Sequence, residues 1–321
     1  MSATDGPSTT RSTTSDLTQR IADTRLQSVL IAALFVGVCS SFGVLLALTG
    51  LVGWTMLAAK PPGGPVPSVW QSVAIIAAFG LVFAVGYAPV LVRTWVRGAS
   101  MVTARAGARA VSSPHERRAA NVVEEVAIAA GAPVPAVAII DDAALNCMTA
   151  GSKPTDATIA VTTGLLGALD RQELQAVAAH ELAHIINGDL RFNTFLAANS
   201  SRFGEFSDAV RYHACTDHRW LVVLLPAART AGWLTGITSL AASRKREVLA
   251  DYTAVLLTRD PAALISALRK LADSPERMAS AHRDLVNLYI VDPADPAGER
   301  NRRRNAHPSV ARRIEALERL R

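Results

Sequence analysis

The residues best placed to do chemistry are His180-Glu181-Leu182-Ala183-His184. On a helix, side chains four apart project from one face, about 40° from each other, close enough to hold one ion between two imidazoles. Neutral imidazoles suit Zn2+ at about 2.0–2.1 Å. Glu181 points to the flank of that face, where it can take a proton from a metal-bound water and pass it to a leaving amine. The competing reading is a polar face on a surface helix. A catalytic zinc keeps one position open and takes a third protein ligand. Arg246-Glu247-Val-Leu-Ala-Asp251 offers one, with Glu247 and Asp251 sharing a helix face. Glu247 would ligate, and Asp251 would accept a hydrogen bond from the far nitrogen of a ligand histidine. An exposed Arg/Glu/Asp face is the alternative there.

The elements around these residues follow from local signals. Residues 115–130 read as a helix stopped by Gly131 and Pro133. Ala136–Ile140 and Thr158–Thr162 read as strands, the second β-branched and bounded by Asp156 and Gly164. Asp170-Arg-Gln-Glu173 is a capping box opening the helix that carries His180, and Gly188 is placed to end it. Asp260-Pro261 is an N-cap followed by proline at the first helical position.

The chain has 321 residues, half of them hydrophobic and only 19% charged, with mean hydropathy +0.23. Soluble proteins carry about 25% charged residues, so this composition points to a membrane protein and excludes a disordered chain. Residues 1–25 read as a disordered Ser/Thr-rich tail. Leu26–Ala59 carries no charge and is longer than a bilayer's hydrocarbon core requires; Val69–Val92 is a second uncharged stretch. Between them, Lys60-Pro-Pro-Gly-Gly-Pro-Val-Pro stops a helix. Residues 26–92 are therefore expected to be a two-helix transmembrane anchor, and 93–321 a catalytic domain. Arg11, Arg20 and Arg25 precede the first span, Lys60 alone lies between, and Arg93, Arg97, Arg105, Arg109, Arg117 and Arg118 follow the second. This bias places both outer flanks, and everything after residue 93, in the cytoplasm of a multi-pass membrane protein. It also explains much of the +6 net charge without a nucleic-acid partner. Three cysteines, Cys39, Cys147 and Cys215, make no disulfide framework.

Trp220–Ala242 is a third apolar stretch, interrupted by Pro226 and Arg229, between the two halves of the site. A single crossing there would strand Glu247 across the bilayer from His180 and His184. The only room for a partner span, about residues 190–219, includes Arg191, Arg202, Glu205, Asp208 and Arg211, so no crossing is expected. His213-Ala-Cys215-Thr-Asp217-His218 has metal-ligand types at no standard spacing and reads as a solvated loop. Arg300, Arg302, Arg303 and Arg304 read as a solvated face. There is no Walker loop, dinucleotide fingerprint or internal repeat.

The order Asn121-Val-Val-Glu-Glu, Ala130-Gly-Ala-Pro-Val-Pro, Asn146, Val161-Thr-Thr-Gly-Leu-Leu, His180-Glu-Leu-Ala-His-Ile-Ile-Asn-Gly-Asp189, Glu247-x-x-x-Asp251 and His307-Pro308 before Arg313-Ile314 resembles the HtpX-type membrane metallopeptidases, kin of the type I CAAX prenyl endopeptidases. The resemblance covers roughly residues 25–320. It implies an α+β fold: a mostly helical, gluzincin-like metallopeptidase domain with a small β-sheet, preceded by two transmembrane helices. It also implies one zinc per chain on His180, His184 and Glu247, with Glu181 as base and Asp251 behind a ligand. His307, arriving near the zinc, would hydrogen-bond the oxyanion. Membrane-protein quality control and stress response are the family's usual roles. Where the family has an Asn-Ala-Phe-Ala-like segment this chain reads Asn146-Cys147-Met148-Thr149, a segment expected to line the substrate cleft. Cys147 is a poor nucleophile, because nothing marks a paired base.

The expected function is a membrane-anchored zinc endopeptidase cleaving misfolded or membrane proteins at the cytoplasmic face, with substrate backbone pairing on a sheet edge. The alternatives are a non-catalytic zinc-binding interaction protein and a specialised processing protease.

Overall fold

The computed structural model describes residues 47–48, 68–216, 246–279, 282–298 and 307–320. The first expected span apart from residues 47–48, the apolar stretch 220–242, the 300–304 arginines and the N-terminal tail lie outside them. Met1–Gly86 and Tyr87–Arg321 are separate units.

Helix α1, Val69–Arg105, contains the second expected span. Its 37 residues make a helix of about 55 Å, against about 30 Å for a hydrocarbon core. It is the one helix among the described residues long and apolar enough to cross a membrane. Trp70, Leu81, Val82 and Val85 are exposed along it. Within the second unit its C-terminal part packs on α5, Leu190–Thr216. There the ring of Trp95 meets Phe195 edge-on at 5.7 Å, and Asn199 Nδ2 donates to Thr94 Oγ1. A side chain at Gly98 would meet the Thr194 methyl at 3.2 Å, so glycine lets the two helices approach.

A four-stranded sheet follows: β1 Ala108–Ala110, β2 Ala136–Ile140, β3 Cys147–Ala150 and β4 Thr158–Thr162, in spatial order β1-β2-β4-β3. Strands β2 and β4 run parallel, Ala136 opposite Thr158; β1 and β3 run antiparallel on the flanks. Helix α2, Pro114–Ala129, covers the sheet and opens with a capping box, Ser113 accepting from Glu116 N–H. Its Val122, Val123, Val126 and Ala127 are buried with Ile139, Ile159 and Val161. Gly131, at φ +62, ends it, as a glycine in the left-handed region does.

Helix α3, Thr163–Ala168, starts on the Thr162 hydroxyl. That hydroxyl donates to Ala144 O at 2.7 Å and accepts from Asn146 N–H at 3.0 Å, so one side chain caps α3 and starts β3. Gly164 lies so close to this turn that a Cβ would stand 2.0 Å from Ala143 O. No flexible neighbour can yield, since the obstruction is backbone. Gly164→Ala should cost at least about 3 kcal/mol, read as a lowered melting temperature.

Helix α4, Arg171–Ile186, opens on the Asp170–Glu173 capping box and is buried almost all round from Leu174 to Ile185. Residues 246–258 form α6, Pro261–Asp273 form α7 with Asp260 as its N-cap, and Val310–Glu318 form α8. Helix α7 packs against both α4 and α8.

Glu173 ties α4 to α7: Lys270 Nζ lies 2.6 Å from its Oε2, and the Ser266 hydroxyl donates to Oε1. Burial works to raise this carboxyl's pKa, but Lys270, the Asp170 N–H and Ser266 outweigh it and hold it below its ordinary value. The contribution is therefore fully present above the ordinary carboxyl range near ~4.3 and is lost as pH falls through the depressed value. Lys270 is partly exposed, so the pair is worth about 1 kcal/mol. Lys270→Met should lower stability by that amount at pH 7, and the gap to wild type should close in acid. Thermal melts at pH 7 and pH 3 measure both.

Residues 213–216 are the exposed end of α5, where the sequence reading expected a loop. The α5 helix continues because Leu190–Thr216 contains neither proline nor a helix-stopping cap. Asp217 and His218 lie outside the described residues.

Candidate metal centre

Three helices converge on one point. Helix α4 presents His180, Glu181 and His184; α6 presents Glu247 and Asp251; α8 presents Arg313. His307 stands just ahead of α8. All are buried, His180 at 0% and His184 at 9% relative exposure. These are the six residues singled out in the sequence, together with Arg313.

One ligand atom each from His180, His184 and Glu247 lies within 4.8 Å of the others. His180 Nε2 is 3.7 Å from Glu247 Oε2, and His184 Nε2 is 3.8 Å from Glu247 Oε1. Two ligands on a tetrahedral zinc stand about 3.3 Å apart, given bonds of about 2.0–2.1 Å. Buried His180 Nε2 and Glu247 Oε2 have no hydrogen-bond partner, although buried polar atoms normally have one. Two imidazoles and a carboxylate, with their facing atoms unused, fit a zinc ion in chemistry and in span.

The surroundings fix which atoms face inward. His180 Nδ1 lies 2.9 Å from Asp251 Oδ1, so its N–H donates there and Nε2 is the atom left facing the other ligands, to bind a cation once it gives up its proton. Burial disfavours the His180 imidazolium, but Asp251 and Glu247 beside it outweigh that and raise its pKa to about 9. The pocket thus favours positive charge. Glu247 is held well below the usual carboxylate range: burial opposes this, and His307, His180 and His184 more than offset it. Behind His184, Asp189 Oδ2 is 3.6 Å from Nδ1, too far for a hydrogen bond. Asp189 also faces Arg246 at 3.4 Å, and the Arg246 guanidinium stacks over Phe192.

Glu181 is held from the sheet side. The Thr149 hydroxyl donates to its Oε2 at 2.5 Å and the Cys147 thiol to its Oε1 at 3.2 Å. Residues 147 and 149 are two apart on β3 and so share a face. The 146–149 segment is fully buried and in this state backs the glutamate. Burial first, then Glu181, pushes the Cys147 thiol well above its ordinary pKa, which removes it as a thiolate nucleophile. The outer edge of β3 is taken by the chain itself: Ile290 N–H donates to Cys147 O at 2.9 Å, and Met148 bridges Tyr289. An extended substrate strand therefore does not find residues 147 and 148 vacant.

His307 stands beside the metal group, next to Glu247. Its Nε2 lies 2.9 Å from Val286 O and its Nδ1 3.4 Å from Glu247 Oε2. Nε2 is engaged by that carbonyl, while Nδ1 has no hydrogen-bond partner and faces the ligand group.

Arg313 carried no role in the sequence reading. Its guanidinium forks onto Asp251, Nε to Oδ2 at 2.8 Å and Nη2 to Oδ1 at 2.7 Å. Its Nη1 donates to Ile290 O and stands 3.6 Å from Glu247 Oε2. The signal available was its position in a tail after His307-Pro308, but its neighbours are all remote in sequence.

Comparison with known proteins adds to this geometry. The family model for peptidase family M48 matches residues 113–321. A Protease HtpX homolog of Tropheryma whipplei (strain Twist) is 36% identical over 250 residues, covering 75% of this chain and 84% of that protein. One of Limosilactobacillus fermentum is 32% identical over 327 residues, 95% of this chain and 100% of the relative. One of Streptococcus pneumoniae serotype 4 is 37% identical over 233 residues, 67% and 77%. Among solved structures, S. mikatae Ste24p aligns with a TM-score of 0.38 at 17% identity, over 76% of this chain and 65% of that one.

Proposed function

Because the chain belongs to peptidase family M48 and is accordingly a metalloprotease, we propose that it is a membrane-anchored, zinc-dependent endopeptidase acting on misfolded or membrane proteins at the cytoplasmic face. The observation that carries this reading is the convergence of His180, His184 and Glu247 beside Glu181. When bound there, zinc would polarise the scissile carbonyl and make a water acidic enough to attack it.

The chain's own residues supply the rest. His180 and His184 offer Nε2, and Glu247 a carboxylate oxygen. Asp251 holds the tautomer of His180. Glu181 accepts a proton from the attacking water and delivers it to the leaving nitrogen as the C–N bond breaks. Thr149 and Cys147 keep its carboxylate turned to that task. His307 steadies Glu247; held at Nε2 by Val286 O, it keeps an unpartnered Nδ1 on the ligand side, where it would meet the oxyanion. Main-chain recognition along β3 requires Tyr289 and Ile290 to withdraw from residues 147 and 148.

A non-catalytic zinc protein would close its site with a fourth protein ligand. Among the described residues the group has three, which favours the enzyme. The apolar helix α1 and the arginines after residue 92 support a membrane anchor with the domain in the cytoplasm. Cys215 is exposed and Cys147 buried. In a Cys39→Ser background, a membrane-impermeant maleimide should label Cys215 only after the cells are opened; labelling of intact cells would reverse the orientation. Reconstituted in vesicles with zinc, the protein should cleave an unfolded membrane protein. Preference for a prenylated peptide would make it a specialised processing protease, and binding of zinc without any cleavage would make it an interaction protein.

A further inference from the structure

Among the described residues Arg313 is the one buried arginine, its side chain fully enclosed. A buried guanidinium is costly unless each of its donors is matched. Here every bond goes to a group serving the metal site or its wall. Nε and Nη2 form a bidentate fork on Asp251, the geometry that fixes a carboxylate in one plane. The same carboxylate takes the Nδ1–H of His180. Nη1 lies on Ile290 O at 2.7 Å, and Ile290 N–H in turn bonds Cys147 O on the strand that backs Glu181.

A carboxylate that only paired with an arginine would be free to rotate about its own axis. Held by two parallel bonds, Asp251 presents Oδ1 to His180 along a fixed direction, and the imidazole follows. Lysine at this position would conserve the charge and lose the fork.

Resting on the metallopeptidase reading, we propose that Arg313 is a positioning residue of the zinc site, acting through Asp251 on the ring of His180. Its role is to set the orientation and donor strength of one zinc ligand without touching metal or substrate. Outer partners of ligand histidines are worth about 10–100-fold in metal affinity, and Arg313 belongs on that scale.

The test is a zinc titration against a competing chelator on the full-length protein in detergent. It compares wild type, Arg313→Met, Arg313→Lys, Asp251→Asn and the double variant Asp251→Asn/Arg313→Met, with the visible spectrum of the Co2+-substituted forms beside it. Arg313→Met should raise the zinc Kd about 10–100-fold and change the Co2+ bands. Arg313→Lys should remain at least about 5-fold weaker than wild type, since charge without the fork does not restore the ring. In the Asp251→Asn background the Arg313→Met step should change Kd at least about 3-fold less than it does in wild type, what remains being the 3.6 Å contact of Nη1 with Glu247 Oε2. A purely architectural arginine would lower the melting temperature of the metal-free protein and leave Kd and Co2+ bands unchanged. That result, or full recovery by lysine, overturns the proposal while leaving the protease standing. A wild type that binds no zinc overturns both. Should Arg313→Met fail to fold, the lysine variant decides alone.

Discussion

Glu181→Gln is expected to lower peptide hydrolysis by about 10²–10⁴-fold, the range for losing a positioned general base, with zinc content unchanged. The amide has the size of the carboxylate and can still meet Thr149 and Cys147, which now hold Oε2 and Oε1. It cannot accept the water's proton. Glu181 is buried at 1% exposure among α4 and β3, so the substitution removes a buried charge whose partners are neutral donors, and the fold should not suffer. Steady-state cleavage with metal analysis of the same samples measures both quantities. Retained cleavage would remove Glu181 from the mechanism.

Glu247→Gln is expected to act through the metal instead. Glu247 lies between His180, His184, His307 and Arg313, at 3.4–3.8 Å from each. Its charge faces the Arg313 guanidinium and would balance the ion. An outer partner of a ligand is already worth about 10–100-fold, so loss of the anionic ligand itself should weaken zinc binding by about 10²-fold or more. Activity at trace zinc should vanish and return in part at high zinc. Excess zinc should do nothing for Glu181→Gln, and that contrast separates the ligand from the base.

The parts of this site that were legible in the sequence are those whose physics is local. The capping box at Asp170, the glycine stop at Gly188 and the i, i+4 histidines all lie within one helix, and the structure places that helix at Arg171–Ile186. Strands β2 and β4 were legible because Ala136–Ile140 and Thr158–Thr162 are short apolar or β-branched runs between turn residues, and the strands occupy those same residues. Strand β3 was not, since Cys147-Met-Thr-Ala lacks alternation: both of its faces are buried. The role of Arg313 was hidden for a different reason. It stands in an arginine-rich tail that reads as solvated, and only the remote Asp251 and Ile290 turn it into a buried fork. The placement of His307 likewise depends on Val286 O and Glu247, which no spacing rule brings together. Residues 220–242 separate the histidines from Glu247 in sequence, yet the three meet in space.

The most direct test of the central claim is the zinc content of the detergent-purified, chelator-free protein beside that of a His180→Ala/His184→Ala variant. The predicted result is one zinc per wild-type chain and none in the variant, with cleavage lost in parallel. A folded wild-type protein that takes up no zinc, or a variant that keeps it, would contradict the account.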